Sequence, residues 1–386
     1  MRILRSIHSL NPAIGGPIES VKQSSAVLSS RGHHVDVLTL DAPTDPWIDQ
    51  FPVPVHALGP RRGSYGYVGG LTQWLKQRRG QYDAVLIQGL WQYSSLGVWR
   101  ALHGTGTPYF VFPHGMLDPW FNRTYPLKHL KKLLYWPWAE YRVLRDATAV
   151  LFTSEEERRL ARESFWPYRC HEVVVNYGTV GPDVDRRAAT EAFLNAFPQL
   201  RGKRFLLFLG RLHEKKGCDI LIRAFARIRR SSSPDLVMAG PCADEHYLAR
   251  LKESAAAVGE RDHVHFTGML TDQVKWGAFY SADAFVLPSH QENFGIAVAE
   301  ALACATPVLI SNKVNIWREI VNDGAGFADD DNFDGTTRLF QRWIDTPEAE
   351  RAAMQANARR SFESRFEINS AVDSLLGVLK QYATAE

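Results

Sequence analysis

Two glutamates, Glu292 and Glu300, bracket the stretch PSHQENFGIAVAEALACATPVLI at residues 288–310. It reads as a strand end, a polar loop, a Phe-Gly hinge, an apolar helix, then Pro and another strand. Gly295 lets the backbone come close to a ligand. A helix starting there presents unbonded amides at its N-terminus, where an anion is the natural occupant. Along a helix the eight-residue step between the two acids would span about 12 Å. A buried helix with two incidental acids fits the same letters, so the partners of this segment must be sought elsewhere in the chain.

Three other stretches have chemical potential. Gly210-Arg211-Leu212-His213-Glu214-Lys215-Lys216-Gly217 follows the apolar run FLLFL. Arg211 as a planar fork and Lys216 as a point charge could neutralise a diphosphate without a metal, on a loop that Gly210 and Gly217 make flexible. The competing reading is a solvated charged loop. Pro113-His114-Gly115-Met116 follows the run YFVF. A histidine at the carboxyl end of a strand can hydrogen-bond a hydroxyl or share a proton, and a structural histidine fits equally. Residues 9–17, SLNPAIGGP, place Gly15 and Gly16 just before a helix, which suits a phosphate. They match neither GxGxxG nor a Walker loop, and a simple tight turn competes.

Positioning these residues requires a particular scaffold. Short β-type runs alternate with helical stretches, the pattern of parallel sheets built from βαβ units. Strands are expected at 2–8, 35–40, 53–58, 84–88, 109–112, 149–153 and 172–176, with helices over 18–31, 70–79 and 126–144. After Asn176-Tyr177-Gly178 the pattern breaks. A second series then has strands at 205–209, 236–239, 264–267, 284–288 and 307–310, followed by helical sequence over 347–382. With 386 residues the chain is too long for one core and fits two domains. The expected division is 1–178, a linker 179–203, 204–365, and a C-terminal helix 366–386.

Composition narrows the function classes. A net charge of +3 without a basic tail argues against nucleic acid. Cys170, Cys218, Cys242 and Cys304 are scattered, with no CxxC and no metal-ligand spacing, and read as reduced thiols of a cytosolic protein. The N-terminus lacks the apolar run of a signal peptide, and no window is apolar enough to span a bilayer. Asn122-Arg123-Thr124 matches a glycosylation sequon that carries no meaning without secretion. The chain holds 11 Trp, several outside core strands, which suggests a surface meeting something amphipathic. Residues 126–145, PLKHLKKLLYWPWAEYRVLR, mix cations with Leu, Trp and Tyr, as an interfacial segment on anionic lipid would; an ordinary domain helix is the alternative.

The pairing of GRLHEKKG with SHQENFGIAVAEALACATPVLIS resembles family 4 of the retaining glycosyltransferases, and Glu292 and Glu300 match that family's E-x7-E motif. PHGMLDPW is similar to the subset that builds bacterial exopolysaccharides and other surface glycans. The resemblance covers most of the chain and is strongest over residues 204–319. It implies the α/β GT-B fold, two Rossmann-like domains facing across a cleft, with C-terminal helices crossing back to the N-terminal, acceptor-binding domain. It also implies roles. Arg211 and Lys216 would hold the diphosphate, Glu300 the ribose diol, and Glu292 the donor sugar hydroxyls. Asn293, Phe294, Gly295 and Ile296 would line sugar and phosphate through their amides. Gly210, Gly15 and Gly16 would approach the donor, Gly268, Met269 and Leu270 would edge the base, and His114 would face the donor sugar or acceptor. Asn293 and the Asn176-Tyr177-Gly178 hinge depart from the usual pattern without touching a charged role.

The implied reaction is hexosyl transfer from a nucleotide sugar, UDP-glucose or a close relative, to a hydroxyl of a glycan or lipid-linked acceptor. Front-face attack would retain the anomeric configuration, and the leaving phosphate would take the acceptor proton. No cofactor and no metal are expected, including at Asp329-Asp330-Asp331, and the site would be cytoplasmic, at or near the inner face of the membrane. An epimerase of the same architecture and a non-catalytic glycan-binding protein are the alternatives.

Overall fold

A computed structural model describes residues 1–12, 16–124, 126–230 and 233–383, so Gly15 lies outside the described residues. The chain forms two compact units. The first is Met1–Gly178 joined by the segment from Ile368 onward, and the second is Thr179–Glu367.

In the first unit, β1 (Arg2–Ile7), β2 (His34–Thr39), β3 (Val55–Ala57), β4 (Ala84–Gln88), β5 (Tyr109–Phe112), β6 (Ala149–Phe152) and β7 (Glu172–Val174) form one parallel sheet. Its order is β3-β2-β1-β4-β5-β6-β7. The runs AVLIQ, YFVF and AVLF are buried throughout, as strands covered on both faces must be. Leu4, Val85, Ile87, Val111 and Phe152 feed the core on one face; Ile3, Ile7, Val37, Leu86 and Phe110 feed the other. The helix Gly16–Ser30 and the C-terminal helix Ile368–Ala383 pack together over that second face, where Val372, Leu375, Leu376 and Leu379 join the core. Arg31 donates to Asp373 (2.5 Å) and Asn369 (2.8 Å), fastening the returning helix. The helix Gly16–Ser30 ends as its sequence indicates. Gly32 takes φ +81°, and the His33 amide closes back on the Leu28 carbonyl at 3.1 Å, which satisfies carbonyls the helix leaves unbonded.

The single helix expected over 126–144 is three pieces: Pro126–Tyr135, a 3₁₀ turn at Trp136–Trp138, and Glu140–Arg145. Pro137 supplies no amide hydrogen and breaks the ladder.

In the second unit, β8 (Phe205–Leu209), β9 (Asp235–Ala239), β10 (Val264–Gly268), β11 (Ala284–Leu287), β12 (Val308–Ser311) and β13 (Gly326–Asp329) form a second parallel sheet in the order β10-β9-β8-β11-β12-β13. The sequence reading missed β13, an edge strand of four residues, GFAD, too short to show a period. Residues 179–203, read as a linker, contain the helix Arg186–Ala196, which packs on the helix Asp272–Ser281. The two approach so closely that a Cβ on Gly277 would lie 2.0 Å from the Ala189 carbonyl oxygen. In both sheets the strand order reverses beside the first strand, between β1 and β4 and between β8 and β11. Open α/β sheets bind ligands outside the carboxyl ends of strands at this point.

Candidate active site

At the switch point of the second unit, the loop after β8 and the loop after β11 interlock. The first turns through a 3₁₀ segment, Glu214–Lys216, capped by His213 Nδ1 accepting the Lys215 amide at 3.0 Å. The His290 amide (2.8 Å) and the Ser289 hydroxyl (3.1 Å) both donate to the Lys215 carbonyl. The Lys216 ammonium donates to the Glu292 carboxylate, both groups mostly shielded from solvent. Gly217 is therefore not a flexible joint: at φ +68° a Cβ there would stand 2.4 Å from the Pro288 carbonyl oxygen, so glycine is what lets the loops meet. Arg211 differs from Lys216. It is exposed and has no hydrogen-bond or ion-pair partner among the described residues.

The neighbouring strand ends are laced to this loop. Gly210 donates to the Ala239 carbonyl (2.9 Å) and Gly240 to the Gly268 carbonyl (2.7 Å). A Cβ on Gly240 would fall 1.9 Å from the Gly210 oxygen. Gly268, at φ +72°, ends the edge strand β10 and turns the chain so that Met269 is exposed and Leu270 buried.

Glu292 and Glu300 are not two points on one helix. Glu292 sits in a bridge with Val314, its amide donating to the Lys313 carbonyl at 2.9 Å. The helix starts only at Ile296, behind Gly295 at φ +76°. The left-handed glycine redirects the chain, so the 12 Å helical estimate does not apply. Asn293 accepts from Asn315 at 3.4 Å, and Phe294 is buried edge-on against Phe366. Glu300, on the helix, accepts from Lys275 at 2.9 Å. Lys275 was not singled out in the sequence, because no spacing rule ties a helix after β10 to one after β11.

Asp329, Asp330 and Asp331 go separate ways. Arg338 grips Asp329, Asn312 donates to Asp330 at 2.8 Å, and Asp331 meets His290 Nδ1 at 2.8 Å. That last bond raises the His290 pKa, with burial opposing it, and ties the β11 loop to the end of β13.

In the first unit, His114 follows β5 with φ +51°, a left-handed conformation costly for a non-glycine residue. The strain is held by Glu157, a buried residue: one carboxylate oxygen accepts the Gly115 amide at 2.6 Å, the other the Thr153 amide and hydroxyl, both at 2.7 Å. Glu157 was missed, although Ser154-x-x-Glu157 after a strand is a helix-start pattern, and Ser154 does cap its amide at 3.1 Å. His114 Nε2 lies 2.8 Å from Gln88 Oε1, and its ring stacks on Phe112. Burial pushes its pKa down to about 4, helped by the charge of Arg5, so near neutrality it acts as an uncharged hydrogen-bonding group. Between the ordinary histidine value and about 4 the unfolded chain binds a proton the folded chain refuses, so stability falls as pH drops through that window. Histidine NMR should show the His114 ring still neutral at pH 5.5; a midpoint near 6.5 would contradict this assignment.

Gly16 begins the helix Gly16–Ser30. After β1, Ser9 and Leu10 are anchored by buried Asp41, which accepts from the Leu10 amide (2.6 Å), Ser9 (2.7 Å) and Trp47 (3.1 Å). Burial alone would raise the Asp41 pKa; these bonds outweigh it and hold the carboxyl below its usual range.

Two family models match the chain. "Glycosyl transferase 4-like domain" covers residues 15–178 and "Glycosyl transferases group 1" covers 191–361. An alpha-D-kanosaminyltransferase of Streptomyces kanamyceticus is 28% identical over 253 residues, 63% of each protein, so the chain spans less than two thirds of that relative. A GDP-mannose-dependent alpha-(1-6)-phosphatidylinositol dimannoside mannosyltransferase of Mycobacterium tuberculosis is 26% identical over 100% of this chain and 97% of its own length. Among solved structures, a sucrose-phosphate synthase from Thermosynechococcus elongatus superimposes with a TM-score of 0.77 at 20% identity, covering 100% of both chains. Anabaena HepE in complex with UDP gives 0.79 at 17% identity, covering 99% of this chain and 100% of that one. The two family models, which between them match most of the chain, place it in the GT4-type glycosyltransferases, and the two parallel-sheet units, matched nearly end to end by both solved structures, have the GT-B fold.

Proposed function

We propose that this protein transfers a hexosyl unit from a UDP-linked sugar to a hydroxyl of a glycan or lipid-linked acceptor, retaining anomeric configuration and using no metal ion. The observation that carries the reading is the meeting of the two switch-point loops of the second unit. Arg211, unpartnered among the described residues, the Lys216–Glu292 pair and the amides opening behind Gly295 lie on adjoining loops. Arg211 and Lys216 stabilise charge developing on the leaving diphosphate, and the first amides of the helix at Ile296 add to that field. Glu292, besides orienting Lys216, accepts from donor hydroxyls. Glu300 accepts from the ribose, and Gly268, Met269 and Leu270 flank the base. In the first unit, neutral His114 offers a hydrogen bond to an acceptor hydroxyl without adding charge.

A sugar-nucleotide donor agrees with the mannosyltransferase relative, which is GDP-mannose-dependent, and with HepE, which has been seen with UDP-glucose. UDP is preferred on that structural likeness. Metal independence is supported by the cations on the β8 loop and by the separate engagement of Asp329, Asp330 and Asp331. Incubation with radiolabelled UDP-glucose and a lipid-linked glycan acceptor, in EDTA, should yield labelled acceptor. An isomerised donor would mean an epimerase, and bound but unchanged donor a binding protein. Complete loss of turnover in EDTA, restored by divalent metal, would overturn metal independence.

A peripheral membrane site is the second part of the reading. The helix Pro126–Tyr135 buries none of its residues. It faces the wrong way for a water-exposed helix: Lys132 turns inward over the Trp91 ring at 4.5 Å and His129 toward Phe165 at 5.1 Å. Leu127, Leu130, Leu134 and Trp138 are 80, 56, 70 and 71% exposed. Trp136 is the anchor, buried and donating to the Pro167 carbonyl at 2.8 Å. Lys128 and Lys131 flank the stripe, and no acid occurs between Asp118 and Glu140. An apolar stripe edged by lysines is complementary to an anionic bilayer surface. No helix among the described residues is long and apolar enough to cross a membrane.

A further inference from the structure

Hydrogen-bond donors lie buried without acceptors on one face of the first unit's sheet. Arg5, in the middle of β1, is 3% exposed, and its Nε and Nη2 make no hydrogen bond to any described residue. Gln88, the last residue of β4, is 5% exposed, and its Nε2 is likewise unbonded while its Oε1 faces His114. Arg5 pairs in register with Leu86, and Ile7 with Gln88. Side chains alternate along a strand, so Arg5 and Gln88 emerge on the same face of adjacent strands.

No described carboxylate forms an ion pair with Arg5. Its charge is felt by His114 and Tyr177. Burial lowers the Arg5 pKa to about 10, which leaves it a cation near neutrality. A neutral acceptor alone would leave its charge without a counter-ion. A buried, unpaired guanidinium is among the most costly features a core can retain. The missing element is an acceptor with negative charge, and Arg5 enters the chemistry assigned above only by helping to keep His114 uncharged.

We propose that Arg5, with the Gln88 amide, forms an oxyanion subsite in the first unit that takes a phosphate or carboxylate group of the acceptor. This rests on the reading of the first unit as the acceptor side. The donor diphosphate falls to Arg211 and Lys216 in the other unit. The acceptor is then an acidic glycan or a phosphorylated one, and a neutral sugar lacking such a group binds about 10–100-fold more weakly, the value of hydrogen bonds to a charged partner.

The test is a thermal-shift measurement on protein saturated with UDP, so that the donor site is filled, with inorganic phosphate, glucuronate or glucose added. Wild type should gain stability from phosphate or glucuronate and none from glucose; the relative size of the two responses tells phosphate from carboxylate. Arg5→Met should keep its UDP response, lose the oxyanion response, and melt no lower than wild type without anion, since an unpaired charge has been removed. Gln88→Glu places a carboxylate beside Arg5 within the chain; it should raise the melting temperature and abolish the oxyanion response, which keeps the test intact if Arg5→Met does not fold. Equal oxyanion responses in wild type and the variants, or none in wild type, overturn the proposal. Absence of a UDP response would instead count against the transferase reading, and the dependence on Arg5 is read all the same.

Discussion

Arg211→Ala should lower the rate of sugar transfer about 10²–10³-fold, the usual loss when one donor to a developing charge is removed from a preorganised site. The melting temperature should not change, because the Arg211 side chain is exposed and bonded to no described residue. That separation makes Arg211 the cleanest probe of the loop. Lys216→Ala would also leave Glu292 without its partner, and Glu300→Ala would do the same to Lys275, so both mix catalysis with local rearrangement. Single-turnover kinetics with radiolabelled UDP-glucose measures the effect on Arg211→Ala. Wild-type transfer would remove this cation from the mechanism.

Replacing Leu127, Leu130 and Leu134 together by serine should weaken binding to phosphatidylglycerol vesicles by at least about 100-fold in partition coefficient. Each leucine contributes about 1.5 kcal/mol or more when its side chain leaves water. The fold should be indifferent to the change, since these side chains are 80, 56 and 70% exposed. Transfer to a short water-soluble acceptor should likewise continue. Co-sedimentation with phosphatidylglycerol and with phosphatidylcholine vesicles separates the lysine contribution from the apolar one. Failure of wild type to sediment with anionic vesicles would end the membrane reading.

Much of the scaffold was legible in the letters because parallel strands buried on both faces are written as apolar runs. AVLIQ, YFVF and FLLFL gave their strands to the residue. GFAD did not, being short and half polar at a sheet edge. The loops bearing Arg211, Lys216, His114 and Gly295 were equally legible, since each follows directly from an apolar run and so must leave the carboxyl end of a strand. Which strands are neighbours is not written there, and the convergence of the β8 and β11 loops depends on that adjacency.

The glycines show the division well. Sequence marked Gly217 as a point of flexibility; the packed loops show a contact with Pro288 that no side chain could share. Helical rise was the only ruler the sequence offered for the span from Glu292 to Glu300; the left-handed Gly295 places them on different elements with different lysines.

By itself the sequence determined the strand runs, the loop chemistry and the family resemblance, because local apolar patterning and motif spacing are properties of neighbouring residues. Only tertiary structure decided that Glu157 holds the His114 turn, that Lys275 pairs with Glu300, that the leucines of 126–135 face outward, and that Arg5 is buried with no counter-ion among the described residues. Each of these is a relation between residues far apart in the chain. Their pairing is set by sheet order and helix orientation, which local sequence does not encode.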